Sequence, residues 1–459
     1  MTVAECKEFL TAGRHAHLIG IGGVSMSSLA EVLHEAGLVV TGSDMSESAN
    51  VAHLRSLGIT IFQGHHPENL VGAELVIRTA AVHDDNPEIM AAREAGIPVF
   101  ERAQAWGAIM TDYRHAICVS GTHGKTTTTS MCAHIAMAAN LDPTIMIGGS
   151  LPLLGASYRV GKGDTIILES CEYCNSFLSF RPTVAVILDI EEDHLDFFKD
   201  LADIEHSFRT FANLVPETGL VIANADDRNT MDTLDGVDRP FVTFGLGSYA
   251  DVYCENLVWE KGFPTFDLYH NQERVCPVTL SVPGSHNVKN ALAAAAVALS
   301  IGIPPEAIAE GLQGYRGAER RFEFKGELNG AKIYDDYAHH PAELHVLLST
   351  AKTLGYERVI CAFQPHTYTR TKAFFDDFVQ ELQLADLTLL AEIYPARETN
   401  TLGISSRDLA ARIPKAEYYA TFPELEARLR ELARPGDLIL TAGAGELNRV
   451  ADALTREST

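Results

Sequence analysis

The stretch Ser120-Gly-Thr-His-Gly-Lys-Thr-Thr127 carries the residue types that hold a polyphosphate. It follows an apolar run, Ala116-Ile-Cys-Val119, that reads as a buried strand, and it precedes helical spacing over residues 128–137. In a strand, glycine turn and helix of this kind, backbone N–H groups cradle phosphate, a lysine neutralises its terminal charge, and the following hydroxyl can hold Mg²⁺. Gly121, Thr122, His123, Gly124, Lys125, Thr126 and Thr127 fill those places. Val119 stands where the common G-x-x-x-x-G-K-[ST] pattern has its first glycine, which turns the reading away from a generic GTPase.

Acids and imidazoles recur just past other predicted strands. Residues 164–168 run into Glu169-Ser-Cys-Glu172, and 184–188 run into Asp189-Ile-Glu-Glu-Asp-His-Leu-Asp196. In a parallel sheet such strand ends open on the edge that carries a phosphate loop, so their acids, Glu169 and Glu172 among them, and His194 are expected to converge on Mg–ATP. Further on, 333–341 ends in two acids and two histidines. Residues 359–371 place His366 and Arg370 after a strand, where an arginine suits a carboxylate through two parallel bonds. His286 and Asn287 at a helix start either cap it or contact a nucleoside, and His339 and His340 are either helix-start residues or catalytic ones.

The elements that must position these groups alternate as βα units. An N-terminal strand at 17–21 leads into Gly20-Ile-Gly-Gly-Val-Ser-Met26, an amphipathic stretch from Ser27 to Ala36, and a second strand ending at Asp44. That is a Rossmann-like opening, with glycines for close approach to a diphosphate and Asp44 placed to read a ribose. Ser25 replaces the third glycine of the usual fingerprint. The expected boundaries are 1–112, 113–315 and 316–459, with the polar stretch 316–323 as a linker. A chain of 459 residues suits about three domains at the usual ~150 residues each.

Composition sets the remaining bounds. Apolar residues at 46% and charged at 21% are ordinary for a globular protein, and there is no apolar run long enough for a membrane span. Neither membrane insertion nor a secretory segment is expected, so the expected location is the cytoplasm. A net charge of −25 opposes binding to nucleic acid. The eight cysteines form no framework and read as reduced thiols; Cys171 and Cys174 have no second pair at zinc spacing.

Seven motifs in order resemble those of the Mur ligases: residues 20–26, 121–127, 169–177, 193–196, 286–290, 335–341 and Gln364-Pro-His-Thr-Tyr-Thr-Arg370. The resemblance covers essentially the whole chain, and the 364–370 stretch is similar to the alanine-adding branch. It implies an α/β protein of three domains: a Rossmann-like N-terminal domain binding a UDP-sugar, a central phosphate-loop ATPase-type parallel-sheet domain, and a C-terminal Rossmann-like domain for the amino acid and part of the ATP. It implies ATP, UDP-N-acetylmuramate and L-alanine as substrates, Mg²⁺ as cofactor, an acyl-phosphate route to the amide bond, and a monomer or weak homodimer.

Carried over by residue, Gly20, Gly22, Gly23, Ser25, Met26, Ser43 and Asp44 would hold the UDP-sugar. Lys125 would take the γ-phosphate, with Thr126, Glu169 and His194 around magnesium. His286, Asn290, Arg320, Asp336 and His339 would complete the ATP site, and His366 and Arg370 would receive alanine. His366 and His194 both stand as the base for the alanine ammonium. The chain departs from the family pattern at Thr367, often arginine, and at Cys171, often aspartate and here not counted as a metal ligand. Phe208 stands where other branches carry a carbamoylated lysine, so that modification is not expected.

Overall fold

The computed structural model describes residues 1–195 and 197–456; Asp196, which closes the aspartate–histidine motif, and residues 457–459 lie outside the described residues. Short apolar runs ending in polar residues become parallel strands, and the amphipathic stretches between them become covering helices. In the first sheet the spatial order is Thr60–Gln63, Val39–Asp44, His15–Ile19, Leu75–Arg78, Val99–Glu101, with every pair parallel. The first strand ends two residues earlier than the apolar run suggests. Gly20 and Ile21 have already turned, both donating their N–H to the Ser43 carbonyl at 2.8 and 3.1 Å.

The parallel centre of the second sheet runs Phe241–Phe244, Leu220–Asn224, Val184–Ile187, His115–Ser120, Thr165–Glu169, Thr144–Leu151, with Ala156–Arg159 added antiparallel. His115–Ser120, which feeds the glycine turn, is therefore interior, and its two neighbours are the strands that deliver Glu169 and Asp189. The first sheet and this parallel centre of the second belong to one compact unit of residues 1–255, 267–278 and 289–314. Within it, Trp106 is 1% exposed and donates its indole N–H to Ser25 Oγ at 3.2 Å. A Cβ on Gly107 would lie 1.9 Å from the Ser179 carbonyl oxygen, so only glycine lets the helix Arg102–Met110 approach that backbone.

The second compact unit holds residues 256–266, 279–288 and Tyr315 onward. Its sheet runs Glu323–Leu328, Ala331–Asp336, Asp437–Ala442, Arg358–Phe363, Leu387–Ala391, Ala416–Tyr419, with the first pair antiparallel and the rest parallel. One face packs on Leu344, Leu348 and Phe378 and the other on Leu425, Leu429 and Val450. The stretch expected as a linker is docked instead. Ala318 is 2% exposed, and the Arg320 guanidinium donates to Asp335 at 3.0 Å and to the Gly443 and Gly445 carbonyls.

Candidate active site

The glycine turn sits between the interior strand and the helix Lys125–Ala138. Gly124 caps this helix at φ 77°, a left-handed conformation that favours glycine, and a Cβ there would lie 2.7 Å from Asn290 Oδ1. Asn290 in turn accepts from the Thr128 hydroxyl at 3.2 Å, which ties the helix Ser285–Ser300 to the turn. Two loop amides are held internally by one residue: Thr122 N–H donates to the Asp189 carbonyl at 3.1 Å and His123 N–H to its carboxylate at 2.8 Å. The N–H groups of Gly124, Lys125, Thr126 and Thr127 have no acceptor among the described residues. A helix N-terminus with free donors is the arrangement that binds an anion.

Lys125 is turned onto this loop. Its ammonium donates to the Gly121 carbonyl at 2.5 Å, to the Thr122 carbonyl at 3.0 Å, and to both Glu172 oxygens at 3.3 and 3.1 Å. Burial opposes the charge, but Glu172, with Glu169 in support, outweighs it and holds the lysine pKa above its ordinary value. Glu172 also lies 3.7 Å from His194 Nε2, and the His194 ring sits 4.7 Å from that of Tyr173. Glu172 stands among the strand-end acids expected near Mg–ATP, but its pairing with Lys125 is visible only in three dimensions. Glu169 accepts the Gly148 N–H at 2.7 Å. Cys171, Glu172 and His194 each offer a ligand atom within 4.8 Å of one another. Burial pushes the Cys171 thiol up to about 11, which keeps it neutral.

At the edge of the first sheet, Asp44 accepts the Gly22 N–H at 2.9 Å, and Gly23 caps the helix Val24–Glu35. Gly20 adopts φ 78°, and a Cβ there would meet Thr79 Cγ2 at 2.7 Å. Ser25 Oγ donates to Met146 Sδ at 2.9 Å. Met26 and Ser43 are 2% and 0% exposed.

In the second unit, His366 Nδ1 lies 3.3 Å from Arg370 Nη1, its ring is stacked 5.6 Å from that of Tyr394, and the His339 ring is 5.8 Å away. Burial, with His339 and Arg370 nearby, holds the His366 pKa down to about 4, so its imidazole is neutral at pH 7. Thr367 between them has φ 68°, a strained value for a β-branched residue. Asp336 accepts from Phe322 N–H at 2.7 Å and Ala338 N–H at 2.8 Å, and burial raises its pKa to about 6. The Arg320 donors are committed to the chain's own carbonyls and Asp335, and its guanidinium lies 5.0 Å from the Tyr337 ring centre. Burial, with Arg321 nearby, holds the pKa of His286 down to about 4. Asn287 beside it donates its side-chain N–H to the Pro283 carbonyl at 2.7 Å.

A phosphate loop on a parallel sheet, preceded by a glycine-turn sheet and followed by a third α/β sheet, defines a nucleotide-dependent enzyme of several α/β domains. Three family profiles match in that order: "Mur ligase family, catalytic domain" over residues 15–114, "Mur ligase middle domain" over 119–298, and "Mur ligase, glutamate ligase domain" over 320–445. The chain belongs to the Mur ligase family. It is 46% identical over 443 residues to the UDP-N-acetylmuramate–L-alanine ligase of Clostridium novyi, covering 96% of each chain. It is also 46% identical over 449 residues to the enzyme of that name from Agathobacter rectalis, covering 96% of this chain and 98% of the other. Among solved structures, the UDP-N-acetylmuramate-alanine ligase of Thermotoga maritima is similar at a TM-score of 0.78 and 30% identity, covering 96% of this chain and 98% of that one.

Proposed function

We propose that this chain is an ATP-dependent ligase that joins L-alanine to the lactyl carboxylate of UDP-N-acetylmuramate, releasing ADP and phosphate, in the synthesis of peptidoglycan precursors. The observation that carries the reading is the helix N-terminus at Gly124–Thr127, with free amides beside a half-buried lysine, in a chain whose relatives of that name match it nearly end to end. A carboxylate is a poor acyl donor because its charge repels an amine and it has no leaving group. Attack of a carboxylate oxygen on the γ-phosphorus of ATP expels ADP and gives an acyl phosphate. The alanine amine then adds to that carbonyl, and collapse of the tetrahedral adduct forms the amide and releases phosphate. Positioning and charge neutralisation supply most of the acceleration in phosphoryl transfer.

In this reading Lys125 leaves Glu172 to meet the γ-phosphate, and the amides of residues 124–127 hold the polyphosphate. Neutral His366 receives the proton of the alanine ammonium, which Arg370 beside it orients through the carboxylate. His194 is the other imidazole able to do so. Asn290, His286, Asp336 and His339 are assigned to the nucleotide, and Gly20, Gly22, Gly23, Ser25 and Asp44 to the sugar nucleotide. The oxygen and nitrogen donors of Thr126, Glu169 and His194 fit Mg²⁺, which would neutralise phosphate charge there. Domain limits at 112/113 and 315/316, a cytoplasmic location where ATP and nucleotide sugars are made, and a monomer or weak homodimer complete the proposal. Phosphate release with ATP and UDP-N-acetylmuramate against a panel of free amino acids tests it. Release dependent on L-alanine is expected; release independent of any amino acid, or none with L-alanine, refutes it.

A further inference from the structure

The glycine-turn edge of the first sheet rests on a carboxylate outside the expected contact set. Glu88, in the first turn of the helix Pro87–Glu94, is 0% exposed. Its Oε2 accepts from the Ser43 hydroxyl at 2.6 Å and lies 3.3 Å from His65 Nδ1. Its Oε1 accepts from the Asn69 amide at 2.6 Å and from His66 N–H at 3.3 Å, and lies 3.6 Å from His17 Nε2, which is also wholly buried. Burial alone would raise the carboxyl pKa, but the neighbouring His17 imidazole and hydrogen bonds from Ser43 and Asn69 outweigh it and hold the group below its ordinary value. An ionised carboxylate accepts only, so the Ser43 proton goes to Glu88. His65 Nδ1, 2.9 Å from Ser43 Oγ, must then carry the proton it shares with that oxygen. One buried charge thus fixes a rotor and a tautomer on two neighbouring segments.

Those segments build the turn. The Ser43 carbonyl accepts Gly20 and Ile21 N–H, the Asp44 carbonyl accepts Gly64 N–H at 2.8 Å, and the Asp44 carboxylate holds Gly22 N–H. Movement at Ser43 therefore carries into Asp44 and into the glycine turn together. Filling this space with apolar groups would stabilise the fold at least as well as a buried charge does. Hydrogen bonds from Ser43, Asn69 and the His66 N–H converging on one carboxylate instead specify one geometry.

We propose that Glu88 is a positioning residue for the sugar nucleotide, holding Ser43 and His65 so that the Gly20–Gly23 turn and Asp44 keep the spacing the ligand needs. This rests on the reading above that UDP-N-acetylmuramate binds at that edge. The test uses the full chain with Glu88→Gln, which keeps shape but not charge, and Ser43→Ala, which removes one arm and decides the matter if the first variant fails to fold. Calorimetry gives Kd for UDP-N-acetylmuramate, and steady-state kinetics give KM for each substrate. The sugar-nucleotide Kd and KM are expected to rise about tenfold in Glu88→Gln and about threefold in Ser43→Ala, as for loss of a charge-assisted hydrogen bond, with kcat and the KM for ATP within about twofold. Unchanged sugar-nucleotide affinity, or an equal loss for all substrates, overturns the proposal and leaves Glu88 a scaffold carboxylate. Wild-type protein that does not bind the sugar nucleotide overturns the site reading as well; wild type that binds, with variants that bind as tightly, overturns the role of Glu88 alone.

Discussion

Replacing Glu172 with glutamine should move stability and nucleotide affinity in opposite directions. The Glu172 side chain is 4% exposed and lies 3.1 Å from the Lys125 ammonium, itself 14% exposed. Breaking a buried pair costs about 3–5 kcal/mol when the remaining charge is left bare. Lys125 keeps its bonds to the Gly121 and Thr122 carbonyls, and the glutamine oxygen can still accept. The loss should therefore be nearer the worth of one hydrogen bond to a charge, about 1.5–3 kcal/mol. Urea unfolding followed by tryptophan emission reads it, since Trp106 is buried in the same compact unit. Removing a negative charge at ~8 Å from a triphosphate, in an effective dielectric of ~20, is worth about 2 kcal/mol, so ATP affinity should rise about tenfold or more. Measuring that affinity by calorimetry with EDTA present isolates this charge effect from metal binding. Unchanged stability would refute the pairing. Weaker ATP binding would show that Glu172 supports the nucleotide rather than competing with it for Lys125.

Lys125→Ala should abolish ADP formation while leaving the affinity for UDP-N-acetylmuramate unchanged; normal turnover by coupled assay would refute its role. Gly148→Ala would place a Cβ 2.4 Å from Glu169 Oε1, so the carboxylate must move, and kcat should fall roughly 10- to 100-fold with circular dichroism unchanged; wild-type kcat would contradict this. Burial raises Asp189 to about 6, above its unfolded value, so the folded chain keeps a proton that the unfolded chain has lost. That contribution is fully present below about pH 4 and is lost as pH rises through about 6, an effect on the order of 3 kcal/mol. Denaturation midpoints for wild type and Asp189→Asn at pH 4, 5, 6 and 7 should diverge in favour of the variant as pH rises; a constant difference would refute it.

The sheets were legible because buried parallel strands announce themselves as apolar runs with polar exits, as at Thr165–Glu169 and Val184–Ile187. The helix after the phosphate loop begins at Lys125 rather than at the first apolar-periodic residue, because Thr126, Thr128, Thr129 and Ser130 are themselves buried and carry no hydrophobic signal. Lys125, His194 and His366 could be picked out by type and by their place after a strand. Asp189, which uses two loop amides, and Glu172, which holds the lysine, look like any acid at a strand end. Glu88 looks like any acid in a helix first turn after Asn86-Pro87. Arg320 reads as a free cation in a polar stretch, yet its donors are spent on carbonyls more than a hundred residues away, a partnership with no local trace.

The central claim is that ATP hands its outer phosphoryl group to a sugar-borne carboxylate over the loop at residues 121–127. It is tested most directly with UDP-N-acetylmuramate carrying oxygen-18 in the lactyl carboxylate, incubated with ATP, L-alanine and the full chain. One labelled oxygen should appear in inorganic phosphate for each amide formed. Amide formation with unlabelled phosphate would contradict the acyl-phosphate route, and phosphate release without amide would contradict the ligase reading itself.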